Sequence, residues 1–333
     1  MLRTANRRRS SHRPVPADPS ASVATTDPLL ARVGNTPLVE LPNCSPRPGI
    51  RLFAKLEWFN PSGSVKDRIA WYMLERAEAE GSIHPGMTLV EATTGNTGIA
   101  LTLAARRKGY QACAVVPENA MPEILELLVA HGAEVVSGPP GEGTRGAIRL
   151  AREMGTASGC FCLDQFSNEA NVQAHYLTTA PEIISAVPDV DVFVAGMGTG
   201  GTITGVGRRL REHNPNVQLV AMEPHLGSQV QGLRSLQEGF IPPILDLGIL
   251  SGKILVYAKE AFFWTRELAR REGLFAGLSS GAALYGALKW AQRLERANIV
   301  VLFADGGWKY LSTGLWRNPS VDSREGLDDT VWW

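Results

Sequence analysis

Short apolar runs rich in β-branched residues recur along the chain: RLFAKLEW (51–58), TLVEA (88–92), QACAVVPE (111–118), AEVVSG (133–138), CFCLDQ (160–165), VDVFVAG (190–196), VQLVAMEP (217–224), KILVYA (253–258) and NIVVLFAD (298–305). Each has the length and composition of a strand. Between them lie stretches with helical spacing and exposed charges, such as IAWYMLERAEAEGS (69–82) and FFWTRELARREG (262–273). The alternation predicts a parallel α/β architecture with helices on both sheet faces. Ligands of such sheets bind outside the carboxyl ends of the strands. The loops leaving the strands are therefore where chemistry is expected.

Three of these loops are rich in Gly, Ser and Thr and open a helix of small residues. EATTGNTGIAL (91–101) offers free backbone N–H groups and hydroxyls at a helix N-terminus, which suits a carboxylate. FVAGMGTGGTITG (193–205) lets backbone amides close around a phosphate group. It lacks the Lys-Ser/Thr pair of a Walker loop and the glycine spacing of a dinucleotide fingerprint. FAGLSSGAAL (275–284) repeats the design. A fourth turn, PSGSVKDR (61–68), puts Lys66 just before an apolar helical run. A lysine held in a fixed, partly dry place can form a Schiff base with a carbonyl cofactor and later serve as acid or base. Alone, Lys66 reads as a solvated residue at a helix start, and each loop as an ordinary connection. Their occurrence together, in this order, points to a site.

Composition narrows the class without naming it. The 333 residues predict two domains, and the 33 basic and 33 acidic residues argue against a nucleic-acid or membrane surface as the main partner. No apolar stretch approaches a transmembrane span and no signal-peptide apolar region is visible, so a cytoplasmic protein is expected. Cys44, Cys113, Cys160 and Cys162 are too few and scattered for a disulfide framework, and Cys160 and Cys162 read as buried small hydrophobes on one face of a strand. His175 has no second His or Cys at zinc spacing and is expected to pack within the second domain, while His84, His131 and His213 read as solvated or capping residues; no metal is assigned. Residues 1–26, with five arginines before the first acid, are expected to be a disordered basic tail, and 316–333 a C-terminal tail. The break at GCFCLDQF (159–166) suggests domains at 27–161 and 162–315.

From Gly34-Asn35-Thr36-Pro37-Leu38 to Tyr310-Leu311-Ser312-Thr313-Gly314, these motifs resemble a fold type II pyridoxal-phosphate enzyme of the cysteine synthase and cystathionine β-synthase family. DGGWKYLSTG (305–314) and GLRSLQEGFIPP (232–243) are most similar to actinobacterial O-phosphoserine sulfhydrylases of the CysM type. The resemblance implies two α/β domains with parallel-rich twisted sheets covered by helices, as in the tryptophan synthase β-subunit, the first carrying a mobile substrate-binding subdomain. It makes Lys66 the Schiff-base lysine and Asn96 the partner of the cofactor's phenolic oxygen. It assigns the substrate carboxylate to Thr93, Thr94, Gly95, Thr97 and Gln165. Gly198, Thr199, Gly200, Gly201 and Thr202 would cradle the pyridoxal phosphate, with Ser279 at its pyridine nitrogen. A neutral hydroxyl there makes the ring a weaker electron sink and favours β-elimination.

The implied reaction removes the Cα proton of an activated L-serine, with Lys66 as base, loses the β-substituent to leave an α-aminoacrylate, and adds a sulfur nucleophile to give L-cysteine. Arg234 matches the position that O-phosphoserine enzymes use for the substrate phosphate, which a guanidinium suits better than it suits an acetyl ester, so O-phosphoserine is favoured over O-acetylserine. The chain departs from the family at Ala92 (usually Pro), Thr94 (usually Ser) and Ala180 (usually Gly), and at Glu123-Ile124-Leu125, where relatives carry a Glu-Arg-Arg run. Three alternatives stay open: a specialised β-replacement giving another β-substituted alanine such as 2,3-diaminopropionate, a serine/threonine dehydratase, and a non-catalytic binding homologue. The implied partners are an amino-acid substrate and a second copy in a homodimer, with a sulfur-carrier protein or serine acetyltransferase as further candidates.

Overall fold

The structure, a computed structural model, describes residues 25–118, 120–314 and 316. The expected N-terminal tail (1–26) and C-terminal tail (316–333) thus lie almost wholly outside the described residues. The strands are β1 (Leu38–Glu40), β2 (Ile50–Leu56), β3 (Thr88–Ala92), β4 (Gln111–Val116), β5 (Glu134–Ser137), β6 (Cys160–Cys162), β7 (Val192–Gly196), β8 (Gln218–Pro224), β9 (Gly252–Val256) and β10 (Ala297–Phe303). The helices are α1 (Lys66–Ala79), α2 (Asn96–Lys108), α3 (Pro122–His131), α4 (Gly143–Met154), α5 (Glu169–Ala174), α6 (Ala180–Ala186), α7 (Gly201–His213), α8 (Ala258–Glu272) and α9 (Leu278–Ala291); a π-helical turn, His175–Thr179, joins α5 to α6.

Two sheets form, a larger one in the order β1-β2-β10-β7-β8-β9 and a smaller one in the order β5-β4-β3-β6. Only β1 runs antiparallel to its neighbour among these strands. The sheets do not divide the chain at a single point. Residue 162 ends β6, the last strand of the smaller sheet, but β1 and β2 lie with β7–β10 in the larger one. Lys66 comes after β2 and a 3-10 turn (Glu57–Phe59) and opens α1.

Successive residues of a strand point to opposite faces, and both faces of the larger sheet are covered. Val192 and Val194 of β7 and Ile299, Val301 and Phe303 of β10 pack with α8 and α9 through Phe262, Leu268 and Leu284. Phe193, Ala195, Val300 and Leu302 pack instead with α6 and α7 through Ile183, Ile203, Val206 and Leu210. This two-sided burial is why β10 reads as an unbroken apolar run from Ile299 to Phe303. In the smaller sheet Leu89 and Ala112 face α1 and α2, while Val90, Cys113 and Val115 face α4 through Ala147, Ile148 and Ala151. The expectation for Cys160 and Cys162 needs correction: both are half-buried, because β6 is an edge strand.

Candidate active site

The carboxyl ends of β3, β7 and β8 open onto one cavity. Its wall contains Lys66, Thr93, Thr94, Gly95, Asn96, Thr97, Gln165, Gly198, Thr199 and Arg234, all of them expected site residues. Gly200, Gly201 and Thr202 are not on the wall but follow Thr199 directly, the last two opening α7. Ser279 is buried in the first turn of α9, behind the wall residue Gly232, whose Cβ position lies 3.9 Å from the Ser279 hydroxyl.

Lys66 begins α1, where the Ser64 hydroxyl accepts its backbone N–H at 3.2 Å. Burial lowers the ammonium's pKa to about 8, against a smaller opposing pull from the Asp305 carboxylate. An amine so placed can shed its proton near neutral pH, as a nucleophile or base requires.

The 93–97 loop closes on itself and then on distant side chains. The Thr93 hydroxyl accepts the N–H groups of Gly95 (3.0 Å) and Gly98 (3.1 Å), which leaves its own O–H free to donate. Thr97 donates to Gln165 Oε1 at 2.7 Å, and Gln165 Nε2 donates to the Ala92 carbonyl at 2.7 Å. The Gln165 N–H reaches the buried Glu91 carboxyl, whose pKa is pushed up to about 8 by burial and by the Asp164 charge. First-turn N–H groups of α2, which have no acceptor in their own helix, complete a site for a carboxylate.

Asn96 reveals residues that the motifs did not flag. Its carboxamide donates from Nδ2 to Asp305 at 2.7 Å and accepts on Oδ1 from Lys309 at 2.6 Å. Tyr310 also donates to Asp305, at 2.6 Å. A carboxylate at one end of the amide and an ammonium at the other fix which way Asn96 faces. Asp305 and Lys309 stood in view within DGGWKYLSTG, but nothing in their spacing shows that the end of β10 meets the start of α2.

The 198–202 loop is held where neighbouring side chains press against its bare glycine backbone. Gly200 has φ +85°, and a Cβ on it would lie 2.6 Å from Leu245 Cβ; one on Gly201 would lie 1.9 Å from Asn171 Oδ1. Asn171 in turn donates to the Gln165 carbonyl (2.8 Å) and the Thr199 hydroxyl (3.1 Å), joining this loop through Gln165 to the 93–97 segment. Behind it, the two ring nitrogens of His175 lie 2.9 Å from Thr179 Oγ1 and 3.1 Å from Thr202 Oγ1.

At the far end of the cavity Arg234 lies 5.5 Å from the Phe166 ring and 5.4 Å from the Phe240 ring. Glu238 is 3.7 Å away, and the Arg234 side chain is only 10 % exposed. Burial lowers its pKa, yet a guanidinium keeps its charge. From the smaller sheet's helices, Ile124 and Thr144 reach the same wall. Among the described residues no cluster of His, Cys, Asp or Glu could hold a metal ion, and no helix is long and apolar enough to cross a membrane.

These residues fit pyridoxal phosphate: a buried lysine of lowered pKa faces a helix N-terminus whose glycines leave room only for backbone. Comparison with known proteins agrees. Residues 29–305 match the family described as pyridoxal-phosphate dependent enzymes. Cysteine synthase of Staphylococcus aureus (strain Mu50) is 42% identical over 300 residues, covering 87% of this chain and 97% of that protein. The crystal structure of O-ureido-L-serine synthase superposes with a TM-score of 0.82 at 38% identity, covering 89% of this chain and 96% of that one. The cysteine synthase of Entamoeba histolytica gives 0.82 at 32% identity, covering 95% and 96%.

Proposed function

The chain belongs to the pyridoxal-phosphate dependent enzyme family, and we propose that within it the chain performs β-replacement on an activated L-serine, O-phosphoserine in preference to O-acetylserine, with a sulfur nucleophile that gives L-cysteine. The observation that carries this reading is one cavity holding Lys66, a carboxylate loop and a buried guanidinium on a common wall. Bound pyridoxal phosphate supplies the electron sink that makes the substrate Cα–H acidic. Lys66, neutral above about pH 8, takes that proton and later returns it. Thr93, Thr94, Gly95, Thr97 and Gln165 hold the substrate carboxylate, and Arg234 receives the leaving phosphate, charge for charge.

The cofactor contacts of this reading are Asn96 to the phenolic oxygen, the 198–202 loop to the phosphate and Ser279 to the ring nitrogen. A second copy of the chain is the partner it implies. The apolar Ile124 on the wall, where relatives place arginine, supports a second reading in which another nucleophile gives a different β-substituted alanine.

The test mixes loaded protein with O-phosphoserine, O-acetylserine or serine and with sulfide or, in a parallel series, an amine, and follows amino-acid product and released phosphate, acetate or pyruvate. Cysteine formed fastest from O-phosphoserine with equimolar phosphate is the expected result. Pyruvate from serine without cysteine would replace it with a dehydratase, and a product only with an amine nucleophile would select the second reading.

A further inference from the structure

His175 is wholly buried, lies outside the cavity wall and has no part in the reaction as proposed. Its ring is nevertheless pinned at both ends. The π-helical turn that it opens carries Thr179 round to one nitrogen (Nδ1, 2.9 Å), while Nε2 meets Thr202 of α7 at 3.1 Å. The two backbones are pressed together here: a Cβ on Gly205 would lie 2.2 Å from the Val172 carbonyl and 2.9 Å from His175 Cβ. Wholly buried and bonded at both nitrogens, the ring is held against Thr202.

We infer that His175 is a positioning residue for the cofactor phosphate, held as the neutral Nε2–H tautomer so that the Thr202 hydroxyl must donate its proton into the 198–202 loop. The inference rests on the reading that this loop binds the phosphate. The argument is one of hydrogen count. A hydroxyl has one proton to give, and a phosphate oxygen beside Thr202 can only accept. If Thr202 donated to Nε2, its lone pairs would face the anion. With Nε2–H donating to Thr202 Oγ1, the hydroxyl proton is released toward the phosphate, and Nδ1 accepts from the Thr179 hydroxyl. The result is a one-way chain: Thr179 O–H to Nδ1, Nε2–H to Thr202 Oγ1, Thr202 O–H to phosphate. Burial and the positive charges of Lys66 and Arg68 keep the ring neutral, so the two nitrogens must differ.

The test uses the full chain with ¹⁵N-labelled histidine, loaded with pyridoxal phosphate. The His175 nitrogens should show the proton on Nε2 alone. Separately, dissociation constants of pyridoxal phosphate and of pyridoxal are measured by fluorescence on cofactor-stripped Thr202→Val, His175→Asn and the double variant. Each single change should weaken pyridoxal phosphate binding about tenfold, as expected for one lost hydrogen bond to a charged group. Pyridoxal binding should not change, and the double variant should be no weaker than Thr202→Val alone, because His175 acts only through that hydroxyl. His175→Gln, whose amide can restore the donor, should recover part of the loss. A proton on Nδ1, or single effects that multiply in the double variant, would overturn the inference while leaving the phosphate loop standing. Thr202→Val with unchanged pyridoxal phosphate affinity would overturn the placement of the phosphate itself, and the inference with it.

Discussion

The 93–97 and 198–202 loops look alike in the sequence, each a glycine-rich turn between a buried parallel strand and a helix, yet the structure holds them differently. The first is fastened by side chains arriving from elsewhere: Gln165, Asp305, Lys309, and Gln231, whose amide donates to the Thr94 carbonyl at 3.1 Å. The second is set by its own backbone pressed so close to its neighbours that Cβ atoms on Gly198, Gly200 and Gly201 would lie 2.8, 2.6 and 1.9 Å from the Gly232 carbonyl oxygen, Leu245 Cβ and Asn171 Oδ1. A loop tied by side chains can be adjusted one residue at a time, whereas a loop defined by missing Cβ atoms cannot. That suits a site in which one end meets a constant cofactor and the other selects a substrate.

The largest effect should come from Lys66, which both loops serve. Lys66→Ala is expected to lower turnover by about 10³-fold or more while the chain stays folded, as followed by product formation and by the bound cofactor's visible absorbance. Next, Gly201→Ala should destabilise the protein by about 2 kcal/mol through overpacking and strip it of cofactor, read by thermal melting and by cofactor content after gel filtration. An equally exacting 93–97 loop would be revealed if Thr94→Ser did comparable damage. Arg234→Ala should raise KM for O-phosphoserine about tenfold to a hundredfold, the range for losing a charge-assisted bond. With O-acetylserine KM should hardly move. Equal effects on both donors would remove the case for phosphate.

Much of this contrast was hidden in the sequence, although most elements were not. Nine strands announce themselves as short apolar runs; burial on both faces explains β2, β3, β4, β7, β8 and β10, while the edge strands β5, β6 and β9 are only partly buried. The three-residue β1 is too short for any period to show. The wall residues of the 93–97 and 198–199 segments follow from glycine-rich loops at strand ends, a local property, whereas Gln165 and Arg234 come only through the family resemblance. What the sequence does not show is which side chains cross between sheets. Asp305 and Lys309 lie more than 200 positions from Asn96, and the β1–β2 excursion into the larger sheet brings together residues that a boundary at 162 keeps apart. His175 reads as a packing residue, and it is wholly buried against Thr202 of α7. Its two threonine contacts depend on a π-helical turn that no periodicity announces.

The smaller effects test whether the side-chain-tied loop is as adjustable as it looks. Asp305 raises the pKa of Lys66 against the larger effect of burial, so Asp305→Asn should move that pKa further below about 8. The neutral amine would then persist to lower pH, which the pH dependence of Lys66 modification in cofactor-free protein would show. An upward movement would mean that freeing Asn96 and Lys309 matters more than the lost charge. Smallest of all should be Thr94→Ser. It removes one methyl group from a half-buried wall residue and keeps both the hydroxyl and the carbonyl that accepts from Gln231. A stability change within about 0.5 kcal/mol and a KM shift of about twofold are expected. A larger shift confined to one nucleophile would show that this methyl, together with Ile124, shapes the space where the second substrate enters.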